Sequence, residues 1–136
     1  MVDCLFCKIV RGEIPNYTVY QDKNVLAFLD IFPHAQGHTV VIPKKHIQNL
    51  EDLTAEEWQN ISIGLKNSLE KINLKLNPVG CNIGINNKVI AGQVIPHVHW
   101  HIIPRYDGDG GGSIHSIINN PGEKKAVEIA KLFAEA

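Results

Sequence analysis

Between Thr54 and Asn77 the apolar residues Trp58, Ile61, Leu65, Leu69, Ile72 and Leu76 fall at spacings of three and four. That period marks one face of a helix. Thr54-Ala55-Glu56-Glu57 ahead of the stripe has the capping-box spacing, and Asn77-Pro78 stops it. The other apolar segments are shorter and read as strands: Thr18 to Gln21, Val25 to Asp30 and His38 to Ile42, the first two joined by an Asp22-Lys23-Asn24 turn and the third ended by Pro43. Gly80 to Asn87 alternates, with Cys81, Ile83 and Ile85 on one face, and His97 to Pro104 alternates again. At the ends the pattern is helical. Cys4 to Arg11 carries Leu5, Phe6, Ile9 and Val10, with Asp3 as a cap, Gly12 as a stop and Pro15 beyond. Glu123 to Ala136 carries an Ala126, Ile129, Ala130, Phe133 stripe, and the glycine-rich Asp107 to Ser113 before it reads as a mobile surface loop. Hairpins come first and a single long helix separates strands three and four, so the class is α+β rather than alternating βαβ.

A chain of 136 residues without an internal repeat or a linker reads as one domain, 1–136. Hydrophobic residues make up 44% and charged residues 20%, the balance of an ordinary globular protein. The formal net charge of −1 gives no electrostatic case for long nucleic acids or anionic membranes. No apolar run reaches transmembrane length, and no basic stretch followed by an apolar one marks a secretory signal. Three cysteines, two of them in Cys4-x-x-Cys7, argue against a disulfide scaffold. They point to a reducing, cytoplasmic compartment, with metal binding or redox chemistry as their use.

The chemistry concentrates in Pro96-His97-Val98-His99-Trp100-His101-Ile102-Ile103-Pro104. A side-chain period of two turns all three imidazoles one way, roughly 6.6 Å apart, and Val98, Trp100 and Ile102 the other way into a core. Each imidazole can change charge near neutral pH, so the row suits metal binding or histidine chemistry better than idle solvation. Cys4 and Cys7 share a face of a helical turn; a closed zinc site would need two more ligands, which His46 and one of the triplet could supply. Gly92-Gln93 is a candidate close-approach loop whose amides could meet an anion, and Asn86 could add a donor. Asp30, ending an apolar strand, either accepts sugar hydroxyls or faces water. His34, His38 and His115 read as surface or hydrogen-bonded histidines, and Cys81 as a small buried hydrophobe. No P-loop and no Rossmann glycine pattern is present.

Together these pieces resemble the histidine triad (HIT) family, in particular its Hint-like branch. The likeness runs from Cys4 to Arg105. It is carried in order by Cys-Leu-Phe-Cys-Lys-Ile-Val-Arg-Gly-Glu-Ile-Pro, Val-Leu-Ala-Phe-Leu-Asp-Ile, Gly-His-Thr-Val-Val-Ile-Pro-Lys-Lys-His, Ala-Gly-Gln and His97-Val98-His99-Trp100-His101-Ile102-Ile103. The resemblance implies a five-stranded antiparallel sheet with one long helix and short terminal helices. It implies hydrolysis or transfer at the α-phosphorus of purine nucleotide derivatives, of the nucleoside phosphoramidase kind. His99 would be the nucleophile forming a nucleotidyl-histidine, a backbone carbonyl near His97 would orient it, and His101 would contact the phosphate. Asn86, Gln93 and amides around Val94 would stabilise developing charge. Asp30 matches the ribose carboxylate, and Leu5, Phe6, Ile9, Phe28 and Ile31 the apolar base pocket. Cys4, Cys7, His46 and His97 match a structural zinc site. The resemblance also implies a homodimer, joined through the long helix and the strand from Gly80 to Asn87.

Two departures stand out. Val94 follows Gly-Gln where many relatives have a hydroxyl residue, and the tail 106–136 matches no fixed family motif. Competing functions are dinucleoside polyphosphate hydrolysis, a catalytic three-histidine zinc site, and a nucleotide-binding adaptor without turnover.

Overall fold

The computed structural model describes residues 4–134. Its sheet has five antiparallel strands in the order β1-β2-β3-β5-β4. These are β1 (Thr18–Gln21), β2 (Val25–Leu29), β3 (Thr39–Pro43), β4 (Gly80–Ile85) and β5 (Trp100–Arg105). Three α-helices accompany them: α1 (Leu5–Val10), α2 (Ala55–Leu76) and α3 (Ala126–Phe133). The expected α+β architecture, with one long helix and short terminal ones, is what is found.

Central strands β2 and β3 are apolar almost throughout because both faces are covered. On one face Val25, Ala27, Val41, Trp100 and Ile102 pack with Ile61 and Ile72 of α2. On the other, Leu26, Phe28, Val40 and Ile42 pack with Phe6, Cys7 and Ile9 of α1. A strand with two buried faces loses its polar alternation, which explains the continuous run Val25 to Phe28. The helix α2 lies so close to β2 that a Cβ on Gly64 would stand 2.5 Å from Cγ1 of Val25.

The ends of α2 follow the sequence signals. Thr54 Oγ1 accepts from the Glu57 backbone N–H, and the Glu57 carboxylate accepts from the Thr54 N–H. Asn77 closes the helix in the left-handed region at φ 49°. At α1, Asp3 lies outside the described residues; Cys4 is the cap, its Sγ accepting from the Cys7 N–H at 3.1 Å.

Several boundaries differ from expectation. Strand β3 begins at Thr39 and β4 ends at Ile85, where a loop with a single 3-10 turn at Val89–Ala91 takes over. The fifth strand starts at Trp100 rather than His97. The backbone before it is committed elsewhere: His97 N–H donates to the Ile95 carbonyl at 2.8 Å, and Val98 N–H to the Ile47 carbonyl at 2.7 Å. The loop after Tyr106 is tied down by Arg105, whose guanidinium holds Asp109 through two bonds of 2.7 and 2.9 Å. Asp109 in turn accepts from the backbone of Tyr106 and Gly111. The helix expected from Glu123 is shorter, and its apolar stripe is exposed, with Phe133 83% accessible.

Candidate functional site

The sheet brings the loop before β5, the ends of β2 and β3, and helix α1 to one place. Val98, Trp100 and Ile102 enter the α2 core, while His97 and His99 stack edge-on against Phe6 on the opposite face. Alternation therefore continues through His97 even though the ladder does not.

The three imidazoles have separate partners. His97 is fully buried and points Nδ1 at sulfur, 3.4 Å from Cys4 Sγ and 3.6 Å from Cys7 Sγ. His46 Nδ1 lies 3.2 Å from Cys7 Sγ. With metal–sulfur and metal–nitrogen bonds of about 2.3 and 2.0 Å, tetrahedral geometry separates the two ligand types by roughly 3.5 Å. The three distances cluster at that value. His97 Nε2–H also donates to the Pro43 carbonyl at 2.9 Å, which leaves Nδ1 unprotonated toward the thiols. Burial lowers the His97 pKa to about 4, and burial together with Cys4 raises that of Cys7 to about 11. The imidazole thus offers a free lone pair, and a metal ion bound here would displace the thiol proton into solvent. Cys4, Cys7, His46 and His97 form a donor set able to hold one metal ion.

His99 is turned differently. Its Nδ1 lies 2.8 Å from the His97 carbonyl oxygen, which only a protonated Nδ1 can satisfy. Nε2 then carries the lone pair. Burial lowers its pKa and keeps it neutral.

Next to His99, with ring centroids 5.1 Å apart, stands His101, brought beside β3 by the Val40↔His101 pairing. Burial foremost, then the nearby His99 and His38, lowers its pKa to about 4.

A cavity of about 580 Å³ opens in front of these two rings. Its walls include Leu5, Phe6, Ile9, Phe28, Ile31, Asn86 and Val94, with Asp30 at the rim. Of the residues that the sequence pointed to for nucleotide, one stands apart. Gln93 is buried and its amide is spent: Oε1 accepts from Lys88 N–H at 2.7 Å, and Nε2 donates to the carbonyls of Gln48 and Ile95 at 2.8 and 3.1 Å. It shapes the loop and does not line the cavity. Gly92, at φ 104°, lets that loop turn back against the Asn86 side chain. Ile14, Pro15, Tyr17, Phe32 and Ile95 also line the cavity and were not singled out from sequence. Neither was the role of His38, buried and 2.9 Å from His101, because its signal is the β3–β5 register rather than any local motif.

The HIT domain pattern matches residues 11–108. The chain is 46% identical over 132 residues to an uncharacterised HIT-like protein of Methanocaldococcus jannaschii, covering 97% of each. It is 39% identical over 110 residues to the adenosine 5'-monophosphoramidase of Schizosaccharomyces pombe, covering 81% of this chain and 80% of that one. A crystal structure of a HIT family member from Bacillus subtilis superposes with a TM-score of 0.85 at 39% identity, covering 98% of this chain and 94% of that one. A HIT family hydrolase from Clostridium thermocellum superposes with a TM-score of 0.72 at 34% identity, covering 84% and 98%.

Proposed function

The chain belongs to the histidine triad (HIT) family, and from that premise we propose that it is a nucleotide hydrolase acting at the α-phosphorus of purine nucleoside phosphoramidates. One observation carries the reading: a neutral, buried His99 whose Nδ1–H is held by the His97 carbonyl, leaving the Nε2 lone pair available beside the cavity. The base occupies the apolar part of the cavity between Phe6, Ile9 and Phe28. Asp30 accepts from the ribose hydroxyls. His99 Nε2 attacks phosphorus, forming an N–P bond as the P–N bond to the leaving amine breaks, and the amine departs with a proton. Water then attacks phosphorus and displaces His99, releasing the nucleoside monophosphate. Charge growing on the phosphoryl oxygens is met by His101 and by backbone amides near Val94. Val94 has no hydroxyl to offer, so the leaving amine takes its proton from a solvent water.

Zinc is the metal that suits two thiolates and two imidazoles, and it supplies structure here rather than chemistry. It would clamp α1, and with it Phe6 and the cavity wall, to the segment before β5. Histidine–thiol pairing at His97 argues against a three-histidine catalytic metal, because His97 is turned to Cys4 and Cys7. A thiolate site of this kind suits a reducing compartment such as the cytoplasm. Among the described residues, no helix is long and apolar enough to cross a membrane.

A homodimer is part of the same reading. β4 is an edge strand with Ile83 41% exposed, and Val79 beside it is 68% exposed. Pairing two such edges across a two-fold axis would cover them.

The test is a comparison of initial rates on adenosine phosphoramidate and on diadenosine polyphosphates. Faster cleavage of the phosphoramidate supports the reading. Preference for the polyphosphates moves the chain to the other branch, and binding without turnover of either makes it an adaptor.

A further inference from the structure

We infer that His38 is a positioning residue that locks His101 in its Nε2–H tautomer, so that His101 offers the phosphate a proton and not a lone pair. The inference rests on the proposed reaction for its purpose, but its geometry is independent of it.

The argument begins at a donor that cannot change. The backbone N–H of His34 points at His38 Nδ1 from 3.1 Å. A backbone amide can only donate, so Nδ1 of His38 carries a lone pair. The loop that delivers this amide is fixed at both ends, by His38 N–H to the Ala35 carbonyl at 3.1 Å and Asp30 N–H to the His38 carbonyl at 2.9 Å. A neutral His38 must then carry its proton on Nε2. That nitrogen lies 2.9 Å from Nδ1 of His101. The Asp30 carboxylate, at 3.8 Å, is beyond hydrogen-bond reach of it. His38 Nε2–H therefore donates to His101 Nδ1, and the proton of a neutral His101 sits on its own Nε2.

The reverse assignment fails at the first link. A proton on His38 Nδ1 would face the His34 amide proton, two donors with no acceptor between them. Full protonation of His38 meets the same clash, and burial also opposes it.

The consequence is a pair of neighbours in opposite tautomers. His99 is held by a carbonyl and keeps its lone pair on Nε2. His101 is held by a donor and keeps its proton on Nε2. Two identical side chains, two positions apart on one face, become a nucleophile and a hydrogen-bond donor. The difference comes from what each Nδ1 meets. A lone pair at His101 would repel the oxygens on which charge grows; an N–H stabilises them.

Long-range proton–nitrogen correlation spectra of the zinc-loaded, ¹⁵N-labelled chain near neutral pH test this directly. The expected spectrum shows His101 protonated at Nε2 and bare at Nδ1, and His99 the reverse. Two variants follow. His38→Gln keeps an N–H donor where Nε2 stood; His38→Met removes it. His38→Gln should retain the His101 tautomer and most of kcat. His38→Met should mix the tautomers and lower kcat by roughly 100-fold, as for a lost hydrogen-bond donor to the developing charge, with KM little changed. A wild-type His101 protonated at Nδ1 overturns the inference, as does a His38→Met chain matching His38→Gln in both spectrum and kcat. Should His38→Met fail to fold, the wild-type spectrum decides alone. A wild type inactive on adenosine phosphoramidate but showing the expected tautomers overturns the reaction and upholds the His38–His101 assignment.

Discussion

His99 holds its Nδ1 2.8 Å from the carbonyl oxygen of His97, while the His97 ring itself points away toward Cys4 and Cys7. One residue thus serves two places: its side chain joins Cys4, Cys7 and His46 in a donor set able to hold a metal ion, and its backbone carbonyl fixes the His99 tautomer.

Replacing His99 by alanine should abolish turnover by several orders of magnitude while nucleotide still binds. The apolar cavity and Asp30 remain, and only the attacking nitrogen is lost. Single-turnover kinetics and equilibrium binding on the same variant check the split. Wild-type turnover in His99→Ala would refute the proposed mechanism.

The buried histidines make stability depend on pH. His101 has its pKa lowered by burial, and by the nearby His99 and His38, from 6.5 to about 4. Below 6.5 the unfolded chain takes up this proton and the native one refuses it. The stabilisation is complete above pH 6.5 and is lost as pH falls toward 4. Urea denaturation across that window should show stability dropping with pH, and His101→Gln should flatten the slope.

Metal removal should loosen the cavity from behind. Cys4→Ser, or a chelator, should release zinc and lower Tm by roughly 10 °C or more, since loss of a metal site ranks with changes above about 4 kcal/mol. Elemental analysis and a thermal melt measure the two effects. The reaction at His99 should weaken indirectly, through movement of α1 and of the His97 backbone that holds His99 Nδ1, so substrate at saturating concentration should recover only part of the rate.

Much of the frame was legible because local signals and global packing agree. The α2 stripe, its Thr54–Glu57 box and its Asn77 stop all sit where the sequence puts them. The Asp22 turn is real too, its carboxylate accepting from the N–H groups of Asn24 and Val25. What sequence periodicity cannot carry is the identity of partners across the sheet. His38 looks like any strand-end histidine until Val40 is registered against His101. Gln93, read from sequence as a phosphate donor, gives both of its amide protons to the Gln48 and Ile95 carbonyls, contacts that no local motif announces. The Ala126–Phe133 stripe has helical period but nothing within the described chain buries it.

Gly64→Ala measures the closest approach of the long helix to the sheet. The added Cβ would meet three atoms of Val25 at 2.5 to 2.9 Å. Alanine favours helix over glycine by about 1 kcal/mol, but overpacking a core typically costs about 1–3 kcal/mol. Val25 is fully buried in the core between the sheet and α2, so the clash falls on packed side chains. The net effect should be destabilisation, seen as a lower urea midpoint at unchanged m-value. The double variant Gly64→Ala with Val25→Ala should recover part of the loss.

Gln93 offers the sharpest contrast between a residue that touches substrate and one that shapes the loop. Were its amide a phosphate ligand, Gln93→Glu would place a negative charge against the substrate and raise KM steeply, with little effect on folding. The observed bonds give another outcome. The Lys88 N–H can still donate to a glutamate oxygen, but the carbonyls of Gln48 and Ile95 lose their donor and face a carboxylate instead. An unsatisfied or opposed buried polar group costs about 1–3 kcal/mol. Gln93→Glu should therefore lower stability by about that amount and raise amide exchange from Lys88 to Ile95. Part of the stability should return as pH falls and the carboxylate takes a proton, which restores one donor. Denaturant titration at two pH values, beside nucleotide affinity, separates the cases: a large loss of affinity with unchanged stability would make Gln93 a ligand after all.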